Sequence, residues 1–290
     1  MGQKPTVADA YADAYARIGV TDEDTDEEAL RKAEGLLISR AATYERMGSK
    51  MWEAAWQTVV SSGQEMPAIG DIGHAEPAFA ALVHSWPPPP PVGEPVRCLV
   101  PGCGRGYAVE SIARSGRHCT GLEISASAAQ LAFEHLMSSG VDAQRWHVEV
   151  GDFFSLAPAE RFDLIYDATF LCSLPPTQRD AWAKAMRRLL RPGGELVTDV
   201  FPVAVYEGGP PFAMSVQLVT SLLEPLGFRA AHAHEVPKAQ RARPHFRGAS
   251  EWCAPRARAK PLDMRMRSYR GTVLHPSRSQ RTKLQNASCC

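Results

Sequence analysis

A surplus of charge of either sign is missing from this sequence: 32 Lys and Arg stand against 32 Asp and Glu. No overall field therefore draws the chain to nucleic acid or to an anionic membrane. Long hydrophobic runs are missing too, since none approaches the ~18 apolar residues of a membrane span, and no apolar N-terminal segment resembles a signal peptide. The seven cysteines show neither C-x-x-C nor Cys/His ligand spacing, which fits a reducing cytosol. His232, His234 and His245 match no closed metal-ligand set. The expectation is a soluble, cytoplasmic monomer with no metal and no membrane or nucleic-acid partner.

What the sequence does hold is enough apolar content, 44%, to bury one substantial core over its 290 residues. Three parts are expected: a helical, acidic extension over 1–50, one domain over 51–255, and a basic tail over 256–290 without fixed structure. In the first part Ala8, Tyr11, Tyr15 and Ile18 are spaced to share a helical face, and Asp22 to Glu28 is acidic. Trp52 and Trp56 follow four apart on one helical face. Pro87 to Pro91 reads as a stiff spacer, being neither helix nor central strand. From Val96 onward strands and helices alternate, which argues for an α/β fold with a parallel sheet covered on both faces. Strands are expected at 96–100, 119–124, 146–150, 162–166, 195–201 and 228–235. Helices are expected after Arg105, after Ser125, at 177–190 and at 215–226, with Pro192-Gly-Gly194 as a turn between helix and strand.

The most informative stretch is Val100-Pro-Gly-Cys-Gly-Arg-Gly-Tyr107. It lies between a strand and a helix, and Gly102, Gly104 and Gly106 remove the Cβ atoms that would keep a ligand from the backbone, next to the unpaired N–H groups of a helix start. The next apolar run ends in Glu123-Ile124, where a carboxylate can accept both hydroxyl hydrogens of a ribose. A third strand runs into Gly151-Asp-Phe-Phe154, where Asp152 can accept the amino hydrogens of adenine while Phe153 covers the base. Glycine loop, ribose acid and adenine acid in this order mark an adenosine cofactor. The G-x-G-x-G spacing departs from the G-x-G-x-x-G of dinucleotide sites, and the ordered set resembles the S-adenosylmethionine-dependent methyltransferases.

The resemblance sharpens downstream. Gly151-Asp-Phe-Phe154, Phe162-Asp-Leu-Ile-Tyr-Asp-Ala-Thr-Phe-Leu-Cys-Ser-Leu174, Arg179-Asp-Ala-Trp-Ala-Lys-Ala-Met186, Phe201-Pro202, Gly208-Gly-Pro-Pro-Phe212, Leu226-Gly-Phe228 and Arg247-Gly248 are together similar to the thiopurine S-methyltransferase-like family, within it to the thiol/halide methyltransferase branch. It implies a Rossmann-like class I methyltransferase fold with a mostly parallel seven-stranded sheet. It also implies transfer of a methyl group from S-adenosyl-L-methionine to a soft nucleophile. On this resemblance Gly102, Cys103, Gly104 and Gly106 cradle the cofactor's amino-acid portion, Glu123 and Ile124 take the ribose, Asp152 and Phe153 the adenine, and Trp52 and Trp56 close the pocket.

Two departures from the branch bear on the acceptor. Ile69-Gly-Asp71-Ile-Gly73 and Pro77 keep the Asp, Gly and Pro of its P-W-D-x-G-x-x-x-P pattern but have Gly70 at the Trp, and Ala168 stands where Asp-Tyr is common. Methyl transfer from a sulfonium is an in-line displacement that a dry apolar pocket favours when the nucleophile is an anion. Thr169, Phe170, Phe201 and Phe212 are the expected substrate walls, each equally readable as core. Asp167, at the end of the fourth strand, is the expected catalytic residue, leaning on the sulfonium or steering a thiol proton; the other reading has it fix the following loop through backbone N–H groups. The expected acceptor is a small thiol, hydrosulfide or halide ion. Alternatives are a larger aromatic or heterocyclic thiol, a nicotinamide-dependent oxidoreductase, and a non-catalytic cofactor-binding protein.

Overall fold

The structure is a computed structural model that describes residues 16–21, 23–62, 71–89, 93–159, 161–231, 233–236 and the backbone of 252–259. Ala8, Tyr11 and Tyr15, Ile69 and Gly70, His232, His245, Arg247-Gly248 and the tail beyond 259 lie outside the described residues. Ahead of the sheet lie α1 (Asp26–Met47), α2 (Lys50–Ser62) and α3 (Pro77–His84). Thr25 and Glu28 close a capping box at the start of α1, with Glu28 N donating to Thr25 Oγ1 (3.3 Å) and Thr25 N to Glu28 Oε2 (2.9 Å). Ala29, Ala33 and Leu37, one turn apart, form the buried stripe of α1.

The sheet then builds from β1 (Arg97–Pro101), β2 (His118–Glu123), β3 (Trp146–Val150), β4 (Phe162–Asp167) and β5 (Leu190–Val200). Helices α4 (Tyr107–Arg114), α5 (Ala126–Ser138), α6 (Arg179–Leu189) and α7 (Val216–Leu223) connect or follow them. The antiparallel strands β6 (Phe228–Ala230), β7 (His234–Glu235) and β8 (Trp252–Ala259) complete it. The order is β3-β2-β1-β4-β5-β8-β6, with β7 pairing β8 off this path.

Alternation along each central strand explains why both faces are covered. Leu99, Ile165 and Leu196 join one buried cluster with Trp182, Met186 and Leu189 of α6 and Val219 and Leu223 of α7. Cys98, Val100, Leu164, Tyr166 and Val197, one residue out of phase, join a second with Phe79 and Val83 of α3 and Val109 and Ile112 of α4. Each large side chain so buried is worth about 1.5–3 kcal/mol. The order reverses beside β1, which pairs β2 on one side and β4 on the other. Open α/β sheets bind ligands in the crevice at that reversal, outside the carboxyl ends of the strands.

Three expectations need correction. The sheet is not seven-stranded: five strands form its parallel part, and the antiparallel ones bring it to eight. The single strand expected at 228–235 is two short ones, and β8, which lies between β5 and β6, was not expected; it runs to Ala259, past the residue at which regular structure was expected to end. Pro255 falls where the register between β5 and β8 shifts, the kind of irregularity that tolerates a residue with no N–H to donate. Finally, Pro192-Gly-Gly194 lies within β5, where pairing with β4 jumps from Phe162 and Leu190 to Leu164 and Glu195. It is a bulge, and a Cβ on Gly194 would sit 3.0 Å from the backbone oxygens of Arg191 and Asp163.

Candidate active site

Above the carboxyl ends of β1, β2 and β4 lies a cavity of about 800 Å³, a size typical of small-molecule sites. Its floor is the loop after β1. Gly102, Gly104 and Gly106 all have positive φ, at 60°, 52° and 81°, so the loop needs residues without a Cβ. Space demands the same at Gly102, where a Cβ would stand 2.7 Å from Cδ2 of Phe170. Gly106 is the N-cap of α4 and faces the other way; a Cβ there would meet Ala132 at 3.3 Å and Leu136 at 3.4 Å, so its smallness lets α4 and α5 approach.

Glu123 ends β2 nearly buried, with 5% of its surface exposed. Oε1 accepts from Ile124 N (2.8 Å) and Ser125 N (3.1 Å), and Oε2 from Gly104 N (3.0 Å), so the carboxylate ties the glycine loop to the end of β2. Burial pushes its pKa up, while the three N–H groups act the other way. Among the described residues Oε2 has that single donor, which leaves acceptor capacity for a ribose hydroxyl. Asp152 lines the cavity; it accepts from Phe154 N (3.1 Å) and Ser155 Oγ (2.9 Å), which sets the turn after β3. The ring of Phe153 stands edge-on to Phe170 with centroids 5.0 Å apart.

The segment after β4 forms the far wall. Thr169 holds φ 57° although it is β-branched, a strained conformation of the kind that clusters at functional sites. Asp167 keeps it there. Its carboxylate is fully buried and accepts from Phe170 N (3.0 Å), Leu171 N (3.1 Å) and Trp182 Nε1 (2.8 Å). Burial pushes the Asp167 pKa up to about 6 against the pull of those donors.

The roof comes from the first part of the chain. Leu37, Arg40 and Tyr44 of α1 and Trp52 and Trp56 of α2 line the cavity. The loop after β5 is bound to the roof: Gly209 N donates to Leu37 O (2.9 Å) and Arg40 Nη1 to Pro210 O (3.2 Å). Gly208 lies so close that a Cβ would be 2.5 Å from the carbonyl carbon of Leu37. The edge of the roof is Asp71, whose Oδ2 pairs with Arg105 Nε at 2.5 Å while Oδ1 accepts from Gly73 N at 2.9 Å. The Arg105 guanidinium lies 6.0 Å from the centre of the Trp56 ring. That is what the retained Asp and Gly of the upstream pattern do.

Of the residues expected from the sequence, Trp52, Trp56, Gly102, Cys103, Gly104, Glu123, Ile124, Asp152, Phe153, Thr169, Phe170 and Phe201 all line this cavity, as does Ala168. Three do not. Gly106 serves helix packing, and Asp167 points away from the cavity, toward Trp182, so of its two readings the loop-fixing one fits the geometry. Phe212 stands behind the wall, its ring edge-on to Tyr44 at 6.2 Å and its N–H donating to Cys172 O. Sequence reasoning did not single out Arg40, Tyr44, Arg105 or Glu53. Their partners lie far away in the chain, and no local spacing signals them. Among the described residues no group of three or more His, Cys, Asp or Glu could hold a metal ion, and no helix is long and apolar enough to cross a membrane.

Comparison with known proteins agrees with this arrangement. The profile of the thiopurine S-methyltransferase family matches residues 51–251. The chain belongs to that family. It is 38% identical over 202 residues to the probable thiol methyltransferase 2 of Arabidopsis thaliana, covering 69% of this chain and 84% of that protein. It is 39% identical over 186 residues to thiocyanate methyltransferase 1 of Brassica oleracea, covering 64% and 76%. A thiopurine S-methyltransferase of Vibrio campbellii is 30% identical over 182 residues, 58% of this chain and 80% of that one. Among solved structures, the 1,6-didemethyltoxoflavin-N1-methyltransferase of Burkholderia thailandensis superposes with a TM-score of 0.52 at 18% identity, over 76% of this chain and 90% of that chain. At that identity the likeness shows the fold alone. The chain is thus a methyltransferase with a Rossmann-like sheet.

Proposed function

We propose that this enzyme moves a methyl group from S-adenosylmethionine to a small thiol, hydrosulfide or halide ion. The observation that carries the reading is that one cavity joins the loop of Gly102 and Gly104, the carboxylates of Glu123 and Asp152, and the apolar wall of Thr169, Phe170 and Phe201. When bound, S-adenosylmethionine supplies a methyl carbon made electrophilic by the sulfonium that carries it. The start of α4 would offer backbone N–H groups to its amino-acid carboxylate, while the glycine loop, whose Cys103, Gly104 and Gly106 N–H groups are taken within the protein, would give it room. Glu123 would accept from the ribose, and Asp152 from the adenine amino group. Phe170 lies over Gly102 and separates the loop from the acceptor end.

The rest of the work is positioning and drying. Holding nucleophile and methyl carbon in line removes most of the entropic cost of their meeting. Phe170, Phe201, Leu37 and Tyr44 keep water from an anion that approaches between roof and wall. No strong base is required, because a thiol with a pKa of about 8.5 is already a few per cent thiolate near neutrality. Asp167 takes no part in proton transfer on this reading. It holds Thr169 and Phe170 where the acceptor meets them. We further propose that residues 51–255 carry the chemistry, that α1 of the 1–50 extension completes the roof, and that the enzyme works as a cytoplasmic monomer.

A second reading is favoured by one feature. Ala168 lines the cavity with no more than a methyl group, and the space beside it suits a larger aromatic thiol. Incubating purified enzyme with S-adenosylmethionine and iodide, bromide, hydrosulfide, small thiols or aromatic thiols, with headspace analysis of methylated volatiles and chromatography of the methyl aryl thioethers, decides between them. Methanethiol, small methyl thioethers or iodomethane support the first reading. Turnover of aromatic thiols alone supports the second, and turnover of none in either class defeats both.

A further inference from the structure

Glu53 lies between Trp52 and Trp56 on α2, yet its carboxylate reaches across to the start of α5. Its Oε2 accepts from Ser125 Oγ (2.6 Å) and Ser127 N (3.2 Å), and its Oε1 from Ser127 Oγ (2.7 Å) and from Gln57 Nε2 (2.9 Å). These donors keep it ionised, its pKa drawn down to about 2 chiefly by the hydroxyls of Ser125 and Ser127. Ser125 is itself fully buried. Its N–H donates to Glu123 Oε1, and its Oγ accepts from Ala128 N (3.1 Å), so α5 already has its own side-chain cap. One serine thereby joins the carboxylate of the roof to the carboxylate expected to hold the ribose. Ser125 and Ser127 lie 72 and 74 residues from Glu53 in the chain, so the contact does nothing to form α2 as a helix; it joins α2 to the first turn of α5 and fixes where α2 sits.

We propose that Glu53 is a positioning residue that locks the Trp52–Trp56 roof onto the end of β2, so that capture of the methyl donor and closure of the roof over it are one event. This rests on the reading of the cavity as a donor site. The lock acts on binding and release of the donor and on little else, because the apolar wall that meets the acceptor is held separately, by Asp167 and Trp182.

The test compares wild type with Glu53→Ala, Glu53→Gln and Ser127→Ala. Expected for Glu53→Ala is a rise of about tenfold in KM for S-adenosylmethionine and in Kd for S-adenosylhomocysteine, about 1.4 kcal/mol, with kcat within about threefold of wild type. Glu53→Gln, which keeps one acceptor oxygen, and Ser127→Ala, which removes one donor, should fall between. Deuterium exchange of residues 50–62 without ligand should quicken in Glu53→Ala while the strands stay protected. A lower melting temperature with unchanged KM and Kd would overturn the proposal, since a plain packing contact gives that result. If wild type fails to bind S-adenosylmethionine by calorimetry, the donor reading falls instead, and exchange of 50–62 then decides the lock alone: faster in Glu53→Ala supports it, and no change overturns it.

Discussion

Replacing Asp167 by Asn tests the buried carboxylate without changing its shape. The amide oxygen can take the place of Oδ1 and keep the bonds from Phe170 N and Leu171 N. The amide nitrogen must then face Trp182 Nε1, a donor against a donor, where Oδ2 now accepts at 2.8 Å. Leaving that buried N–H unpaired costs about 1–3 kcal/mol. Against this stands the wild-type charge. The folded pKa of about 6 exceeds the ordinary value of 3.8, so the folded state holds the proton more tightly. The stability this confers is fully present below pH 3.8 and is lost as pH rises to about 6. That gap corresponds to about 3 kcal/mol. At pH 4 Asp167→Asn should therefore be less stable than wild type by about 1–3 kcal/mol, and by pH 7.5 the difference should vanish or reverse, because wild type alone has lost its about 3 kcal/mol. Urea unfolding at half-unit steps from pH 4 to 7.5 reads this directly. A stability difference that stays constant across the range would refute the buried, ionisable carboxylate and the geometry behind it.

Replacing Glu123 by Ala should weaken S-adenosylmethionine binding by about 1–3 kcal/mol through the lost ribose hydrogen bonds and a loosened glycine loop; unchanged affinity in calorimetry would remove Glu123 from the site. Gly208→Ala places a Cβ 2.5 Å from the Leu37 carbonyl carbon at a φ of 95°, so the loop must lift off α1. We expect a loss of roughly 2 kcal/mol or more in unfolding free energy and a lower melting temperature, and a neutral effect would contradict the clasp. Ala168→Tyr fills part of the acceptor end and should change the ratio of iodide to thiol turnover. A folded variant with the wild-type ratio would place residue 168 outside the acceptor's path.

What could be read from the sequence was what is local. The central strands are buried on both faces and so appear as short apolar runs, and the glycine loop with Glu123 and Asp152 announces itself because each sits at a strand end with a residue type fit for one task. Whether a side chain faces the cavity was less legible. Asp167 and Ala168 are neighbours, and the alternation of a strand sends one toward Trp182 and the other to the cavity. Phe212 likewise belongs to the right loop but turns its ring to Tyr44. The strand β8 was hidden because Pro255 and the arginines around it look like a breaker in a charged tail, while its pairing with β5 is fixed across more than fifty residues. Glu53 with Ser125, and Asp71 with Arg105, are contacts of the same long-range kind.

The docking of α1 on the Gly208–Pro211 loop, with Arg40 and Pro210 separated by 170 positions, bears on how the protein is made. On the ribosome α1 and α2 emerge before anything they rest on exists, and contacts of such sequence separation form late because the loop closures they need are slow. The roof therefore has nothing to settle on until the loop of Gly208–Pro211 has been made. Until then Leu37, Trp56 and Val59, all buried in the finished enzyme, are exposed on the nascent chain, where such surface promotes aggregation. The acidic run from Asp22 to Glu28 flanks that surface on the side that emerges first. Like-charge repulsion between neighbouring nascent copies there gives it the part of a gatekeeper during synthesis.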